Sequence, residues 1–397
     1  MKKIGVFFSG ELSENKGGPN GYLYNLRQGL IHNSININFY TVNQNSKKNN
    51  SKKSQNSFSD KEKNFFESLK LEFKVLAFYI KKGLKCNKIV ESGYRSKEIL
   101  HVHSSEDVFY LRRFLNYKGK IIFTPHRPEC LADETITSLQ LKNNTQYRFI
   151  VLRFFLNYLE RFSYKKSDAF IFPSENSMNI YNNFPGFSIH SLNKPIQYVF
   201  TGVPYRKATI NREEYRKKLG IKSDDKMICF IGRHNYIKGY DLLVKLSDKL
   251  LSEDIYVYCA GANNGIKSPK NDKWCELGYV SDPFNLINAA DIVVIPNRNT
   301  YFDLICIEVL SIGTPLLSSN TGGNLDIKKL TNGIYLFENG NEESLLANIK
   351  EIFSLKTDDI ENISSENKTF YQENCSLENF SEKYILALNN IKEYLKM

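Results

Sequence analysis

Five ionisable side chains and two short glycine stretches carry the chemistry that this sequence can offer. Glu308 lies in FDLICIEVLSIG, a few residues after Asp303 and a turn or two into a predicted helix. A carboxylate placed there can accept two hydrogen bonds from a ribose diol, and a solvated helix carboxylate is the plain alternative. Thr321, Gly322 and Gly323 follow, and paired glycines let a backbone come close to a ligand. Arg233 and Lys238 stand five apart in FIGRHNYIKGYDLL. Two cations at that spacing suit a diphosphate, although a solvated charged loop would look similar. His103 ends the run ILHVHSS and His126 ends KIIFTPHRPE. A single histidine past a strand is as often structural as chemical, but two at successive strand ends point to a shared site. Gly18 belongs to an opening loop, GELSENKGGPNG, that could cradle phosphate or form an ordinary tight turn.

The elements needed to position these residues are strands followed by helices. DIVVIP at 291–296 reads as a buried parallel strand, Asp303 as a helix start, Gly313 and Pro315 as its stop, and PLLSS as the next strand. In such a unit the helix begins at the carboxyl edge of the sheet, where its unpaired N–H groups favour an anion. KKIGVFFS, INFYTV, ILHVHSS, KIIFTP and DAFIFPS form the same alternation in the first half. MICFIG, IYVYCAG, LGYVSD and NGIYLF continue it in the second. The pattern predicts an α/β chain with two doubly wound, Rossmann-like domains facing one cleft. Residues 1–204 form the first domain and 205–375 the second. A terminal amphipathic helix over 376–397 packs back toward the first.

The chain has 397 residues and a net charge of +11. Residues 1–204 hold 30 Lys and Arg against 16 Asp and Glu, whereas 205–397 hold 24 against 27. The basic half is therefore the one expected to meet something anionic, unless the bias is compositional. No RRM, KH, helix-turn-helix or zinc pattern is present, which argues against nucleic acid. Seven dispersed cysteines without a CxxC predict reduced thiols and a cytoplasmic protein. No apolar run reaches the length of a membrane span. Residues 43–60 are polar, basic and low in complexity, and are expected to be a mobile loop. The stretch FFESLKLEFKVLAFYIKKGLK at 65–85 has apolar residues at helical spacing among lysines. It is either a helix facing the core, the preferred reading, or one lying on a membrane surface.

Taken in order, GGPNG, HVHS, FTPH, SDAFIFPSE, FTGVP, FIGRHNYIKGYDLL, LGYVSD and FDLICIEVLSIGTPLLSSNTGG resemble the GT-B glycosyltransferases of family 4 over nearly the whole chain. The resemblance implies a nucleotide-sugar donor held mainly by the second domain and a retaining transfer to an acceptor held by the first. By position it gives Arg233 and Lys238 the diphosphate, as the catalytic cations. Glu308 takes the ribose, Tyr279 and Val280 the base, and Gly18 approaches the phosphates. His126 would stand near the anomeric centre, with His103 beside it at the acceptor or sugar. One position departs from the pattern. Thr300 stands where a second glutamate is usual, and Asp303 where a glycine is usual, so Asp303 or the backbone near Leu304 would take over at the donor sugar.

No DxD pair occurs, so the expectation is a metal-independent enzyme without cofactor. A UDP-sugar is the favoured donor. The basic half suggests a peripheral position at the inner membrane leaflet, with a lipid-linked saccharide acceptor as in capsule or O-antigen assembly. A nucleotide-sugar epimerase of the same architecture and a non-catalytic nucleotide-sugar-binding protein are the rival readings.

Overall fold

A computed structural model of the chain describes residues 3–14, 18–42, 63–89, 93–182 and 188–397. The low-complexity stretch at 43–60 lies outside these residues. The chain divides into two units. The first comprises Met1–Phe172, Ile180–Tyr198 and Ile385–Met397, and the second Pro173–Asn179 and Val199–Tyr384.

The first unit is built on a six-stranded parallel sheet. Its strands are β1 (Ile4–Phe7), β2 (Asn38–Tyr40), β3 (Ile99–Val102), β4 (Lys120–Phe123), β5 (Ala169–Phe172) and β6 (Ile196–Tyr198), in the order β2-β1-β3-β4-β5-β6. β1, β3 and β5 are buried at every residue, as short continuous apolar runs covered by helices on both faces should be. The chain moves one way from β1 to β2 and the other way to β3. The crevice at the carboxyl ends of β1 and β3 is thus a topological switch point, where doubly wound sheets bind ligands.

The second unit repeats the plan with β7 (Lys226–Ile231), β8 (Ile255–Ala260), β9 (Trp274–Gly278), β10 (Ile292–Ile295), β11 (Leu316–Ser319) and β12 (Ile334–Phe337). The order is β12-β11-β10-β7-β8-β9, all pairs parallel. Its switch point falls between β7 and β10. Apolar side chains leave the two faces alternately, so that Val293 and Ile295 join one core and Ile292 and Val294 the other. Each such fully buried side chain contributes about 1.5–3 kcal/mol.

Element boundaries differ from the pattern in three places. Residues 135–166, whose apolar face reads as one long helix, belong to two, Leu131–Asn143 and Ile150–Lys166, because Asn144 and Phe149 both take left-handed backbone angles. A polar helix, Thr357–Phe370, occupies sequence that carries little apolar periodicity. QYVFTGVPYRK at 197–207 reads as a strand, but the strand there ends at Tyr198. Among the described residues, all seven cysteines are free, and no helix is long and apolar enough to cross a membrane.

Candidate functional site

In the second unit the loops after β7 and β10 border the switch point. The first, residues 232–239, contains Arg233 and Lys238. Gly239 then caps the helix Tyr240–Lys245 in a left-handed conformation, φ 66°. A Cβ on Gly239 would lie 1.8 Å from the Pro296 carbonyl oxygen, so the two loops touch backbone to backbone. Arg298 fastens them further. Its amide donates to the Ile237 carbonyl at 2.9 Å, and its guanidinium grips both Asp241 carboxylate oxygens at 2.6 Å while lying on the Tyr236 ring.

The two predicted cations have different surroundings. Arg233 is exposed, and its guanidinium has no partner among the described residues. Lys238 is partly buried, and its ammonium donates to Asp303 Oδ1 at 3.1 Å. The other Asp303 oxygen accepts from the Asn297 amide and, at 3.0 Å, from the Thr300 hydroxyl. Asp303 does precede the helix Leu304–Ile312, but its side chain does not cap it. Its carboxylate holds Lys238 instead. Thr300 is 2 % exposed, so its hydroxyl serves this network rather than an open surface. Leu304 is the first residue of the helix and packs partly buried against the core.

Glu308 sits one turn further along. It is half-buried, and its carboxylate has no hydrogen-bond partner among the described residues. Burial pushes its carboxyl up to about 7, with the Arg206 guanidinium pulling the other way. Tyr279 follows the left-handed Gly278 and is 74 % exposed, leaving a free aromatic face, while Val280 packs partly buried against the core. Gly322 and Gly323 serve the protein's own backbone. Gly322, φ 52°, would put a Cβ 1.9 Å from the Thr300 carbonyl oxygen, and the Gly323 amide donates to Tyr301 O at 3.1 Å. The close approach expected toward a ligand is made at Gly322 to the 300–302 loop.

In the first unit the two predicted histidines meet, His103 Nδ1 to His126 Nε2 at 3.0 Å. His101, which the sequence did not single out, lies tilted against His103 with the ring centroids 4.1 Å apart. The Thr124 hydroxyl donates to Ile171 O and therefore accepts from His101 Nε2, which fixes that ring's tautomer. Burial holds His101 and His126 at about 3, and His103 well below its usual value. Near neutral pH all three are uncharged and can each offer one N–H and one lone pair. His103 Nε2 is buried without a hydrogen-bond partner among the described residues, and the Tyr22 ring lies 4.7 Å from His126. Gly18, φ 66°, opens the helix Pro19–His32 with nothing within 4 Å of its Cβ position.

Sequence reasoning passed over several residues here. Asp107, fully buried, accepts from the Ser9 amide at 2.9 Å across the first unit's switch point. Arg127 is locked by Glu106 and Glu134. Asn297, Arg298 and Arg206 in the second unit were likewise unmarked. The signal available was position: all but Arg206 lie just beyond a strand end or in the first turn of the helix that follows.

Residues 211–370 match the family model described as glycosyl transferases group 1. The match supports a group 1 glycosyltransferase. A D-inositol 3-phosphate glycosyltransferase of Corynebacterium aurimucosum is 33% identical over 129 residues, 28% of this chain and 31% of that protein. The chain thus aligns with about a third of the length of the curated relatives it matches. Among solved structures, sucrose-phosphate synthase of Thermosynechococcus elongatus superposes over 99% of this chain and 100% of its own, with TM-score 0.66 and 14% identity. The Anabaena protein HepE in complex with UDP-glucose superposes over 98% and 100%, with TM-score 0.60 and 13% identity. These similarities establish the fold, two Rossmann-like α/β units as in GT-B proteins.

Proposed function

We propose that this chain transfers a sugar from a UDP-sugar to a saccharide acceptor, with retention at the anomeric carbon and without a bound metal. The acceptor is a lipid-linked saccharide of bacterial surface polysaccharide assembly, capsule or O-antigen, presented at the inner face of the cytoplasmic membrane. The observation that carries the reading is an exposed Arg233 and a half-buried Glu308 carboxylate, neither with a side-chain hydrogen-bond partner among the described residues, on the loop and the helix that follow adjacent strands of one sheet. One offers a cation for phosphate, the other an acceptor for a diol, and exposed Tyr279 offers a face for the base. HepE in complex with UDP-glucose supports the uridine donor, and the D-inositol 3-phosphate glycosyltransferase supports transfer to a hydroxyl.

In the reaction the bond from C1 of the sugar to the diphosphate oxygen breaks, and its electron pair stays on that oxygen. The acceptor oxygen bonds to C1 on the same face, and its proton passes to the departing phosphate. Arg233 and Lys238 stabilise the charge as it builds. Lys238 reaches the phosphate by exchanging Asp303 for it. In the first unit the neutral, hydrogen-bonded pair of His126 and His103 orients a hydroxyl, His103 through Nε2, the ring nitrogen it does not spend on His126.

Two measurements test this. In a thermal-shift panel of UDP, GDP, ADP and their sugars, UDP compounds should raise Tm most, and a flat panel overturns nucleotide binding. Lys238→Ala and Arg233→Ala should each lower kcat about 10²–10³-fold, roughly 2.7–4 kcal/mol of barrier. Turnover within a few-fold of wild type would remove the cations from the mechanism. A second reading, a non-catalytic nucleotide-sugar-binding protein, draws on Thr300 and Asp303, whose polar atoms are taken up internally. Transfer product from donor and acceptor together excludes it.

A further inference from the structure

The helix Phe65–Ile89 turns an apolar face away from the protein. Its inner face is anchored by Ser68, bonded to Thr145 at 2.9 Å, and by buried Glu72, which accepts from the Leu152 amide and the Tyr147 hydroxyl, each at 2.8 Å. The opposite side carries Phe66, Phe73, Ala77, Ile80 and Leu84. At 100° per residue these lie within about 40° of one line. Phe66 is 71 % exposed and Leu84 64 %. A run of large apolar side chains this open is uncommon on a protein that stays in water. The expected core-facing packing therefore holds for one side of the helix only.

The charges around the stripe identify what covers it. Lys70, Lys74, Lys81 and Lys85 are exposed along its flank. The helix has two carboxylates. Glu72 is buried, and Glu67 is engaged in a reciprocal cap with Asn64 at the helix start. The neighbouring helix, Ile150–Lys166, exposes Ile150, Phe154 and Tyr158, and its one carboxylate, Glu160, is 3 % exposed. We propose that this face docks on an anionic lipid bilayer, with Phe66, Phe73, Ile80 and Leu84 among the acyl chains and the lysines at the headgroups. A second copy of the chain would set lysine against lysine. Residues 43–62 are polar and basic with Phe58 their one large apolar side chain, so they match neither the charge nor the apolar surface. The inference locates the membrane contact that the proposed lipid-linked acceptor requires, and it stands on different residues from the donor site.

The test is flotation of the whole protein, without donor, with vesicles of phosphatidylcholine alone or mixed with phosphatidylglycerol. Binding should appear with the mixed vesicles and fall steeply with salt. Lys70→Glu and Lys81→Glu should each weaken it about fivefold or more, the scale of one basic residue at an anionic surface. Ile80→Asp should abolish it. All these positions are exposed, and an unchanged thermal midpoint confirms folding. In Phe73→Trp, emission should shift to the blue on mixed vesicles, since the single native tryptophan, Trp274, is 5 % exposed and reports little. Wild-type protein that ignores mixed vesicles overturns the proposal. So does Ile80→Asp binding as wild type, or lipid-free self-association that Ile80→Asp removes. Lys238→Ala should lose transfer yet float normally, which separates this inference from the catalytic reading.

Discussion

Burial pushes the Glu308 carboxyl up to about 7, so the charge that a ribose diol would meet changes with pH near neutrality. The folded-state value lies above that of the unfolded chain, about 4.3. Between those values the folded state binds more protons, so its stability falls as pH rises from about 4 to 7 and levels off above. Glu308→Gln should therefore stabilise the protein by about 1–3 kcal/mol at pH 8, with the gain vanishing below about pH 4. Denaturant titrations of both proteins across this range check the sign. UDP affinity should run the other way. It should weaken as pH drops through 7 in the wild type and lose that dependence in Glu308→Gln. The placement of this carboxylate on a helix at the sheet edge was legible in the sequence, because helix start and sheet edge follow from the strand-loop-helix pattern. The Lys238–Asp303 pair was not legible, since it joins two loops 65 positions apart through a sheet pairing that the pattern does not specify.

Between β7 and β10 the two site-bearing loops are fixed to one another by backbone proximity at Gly239 and by Arg298. Gly239→Ala would add strain at φ 66° and drive a methyl group into the Pro296 carbonyl at 1.8 Å. A loss of about 2–4 kcal/mol is expected, the range of a strained special position. Chemical denaturation should show it, and a change below about 0.5 kcal/mol would mean that the loops part easily. Strands were the most legible elements. Their buried parallel runs, such as IVVI in β10, are apolar on both faces and stand out from polar loops. The helix Thr357–Phe370 was not legible, because TDDIENISSENKTF offers Ile360, Ile363 and Phe370 as its only large apolar side chains. The helix Phe65–Ile89 was legible as a helix. Which side it buries depends on Glu72 finding Tyr147 and Leu152, information that periodicity lacks.

At the scale of the whole molecule, neither unit is one continuous stretch of chain. Residues Pro173–Asn179 belong to the second unit, where Asn176 donates from backbone and side chain to Asp326 at 2.8 and 2.6 Å, and the Ser177 hydroxyl donates to Tyr301 O at 2.7 Å. Charged hydrogen bonds contribute about 1.5–3 kcal/mol each. An Asn176→Ala, Ser177→Ala double variant should therefore lower the stability of the second unit by about 2–4 kcal/mol, read by hydrogen exchange around Asp326. Unchanged protection there would show the segment to be a passive visitor. The first unit is interrupted in the same way, and it recovers Ile385–Met397 only after the entire second unit. On the ribosome those residues emerge after everything up to Tyr384 has been made. The amino-terminal half must then wait, incompletely closed, while its partner folds, and a chain stalled late in synthesis would leave the earlier half unfinished rather than the later one.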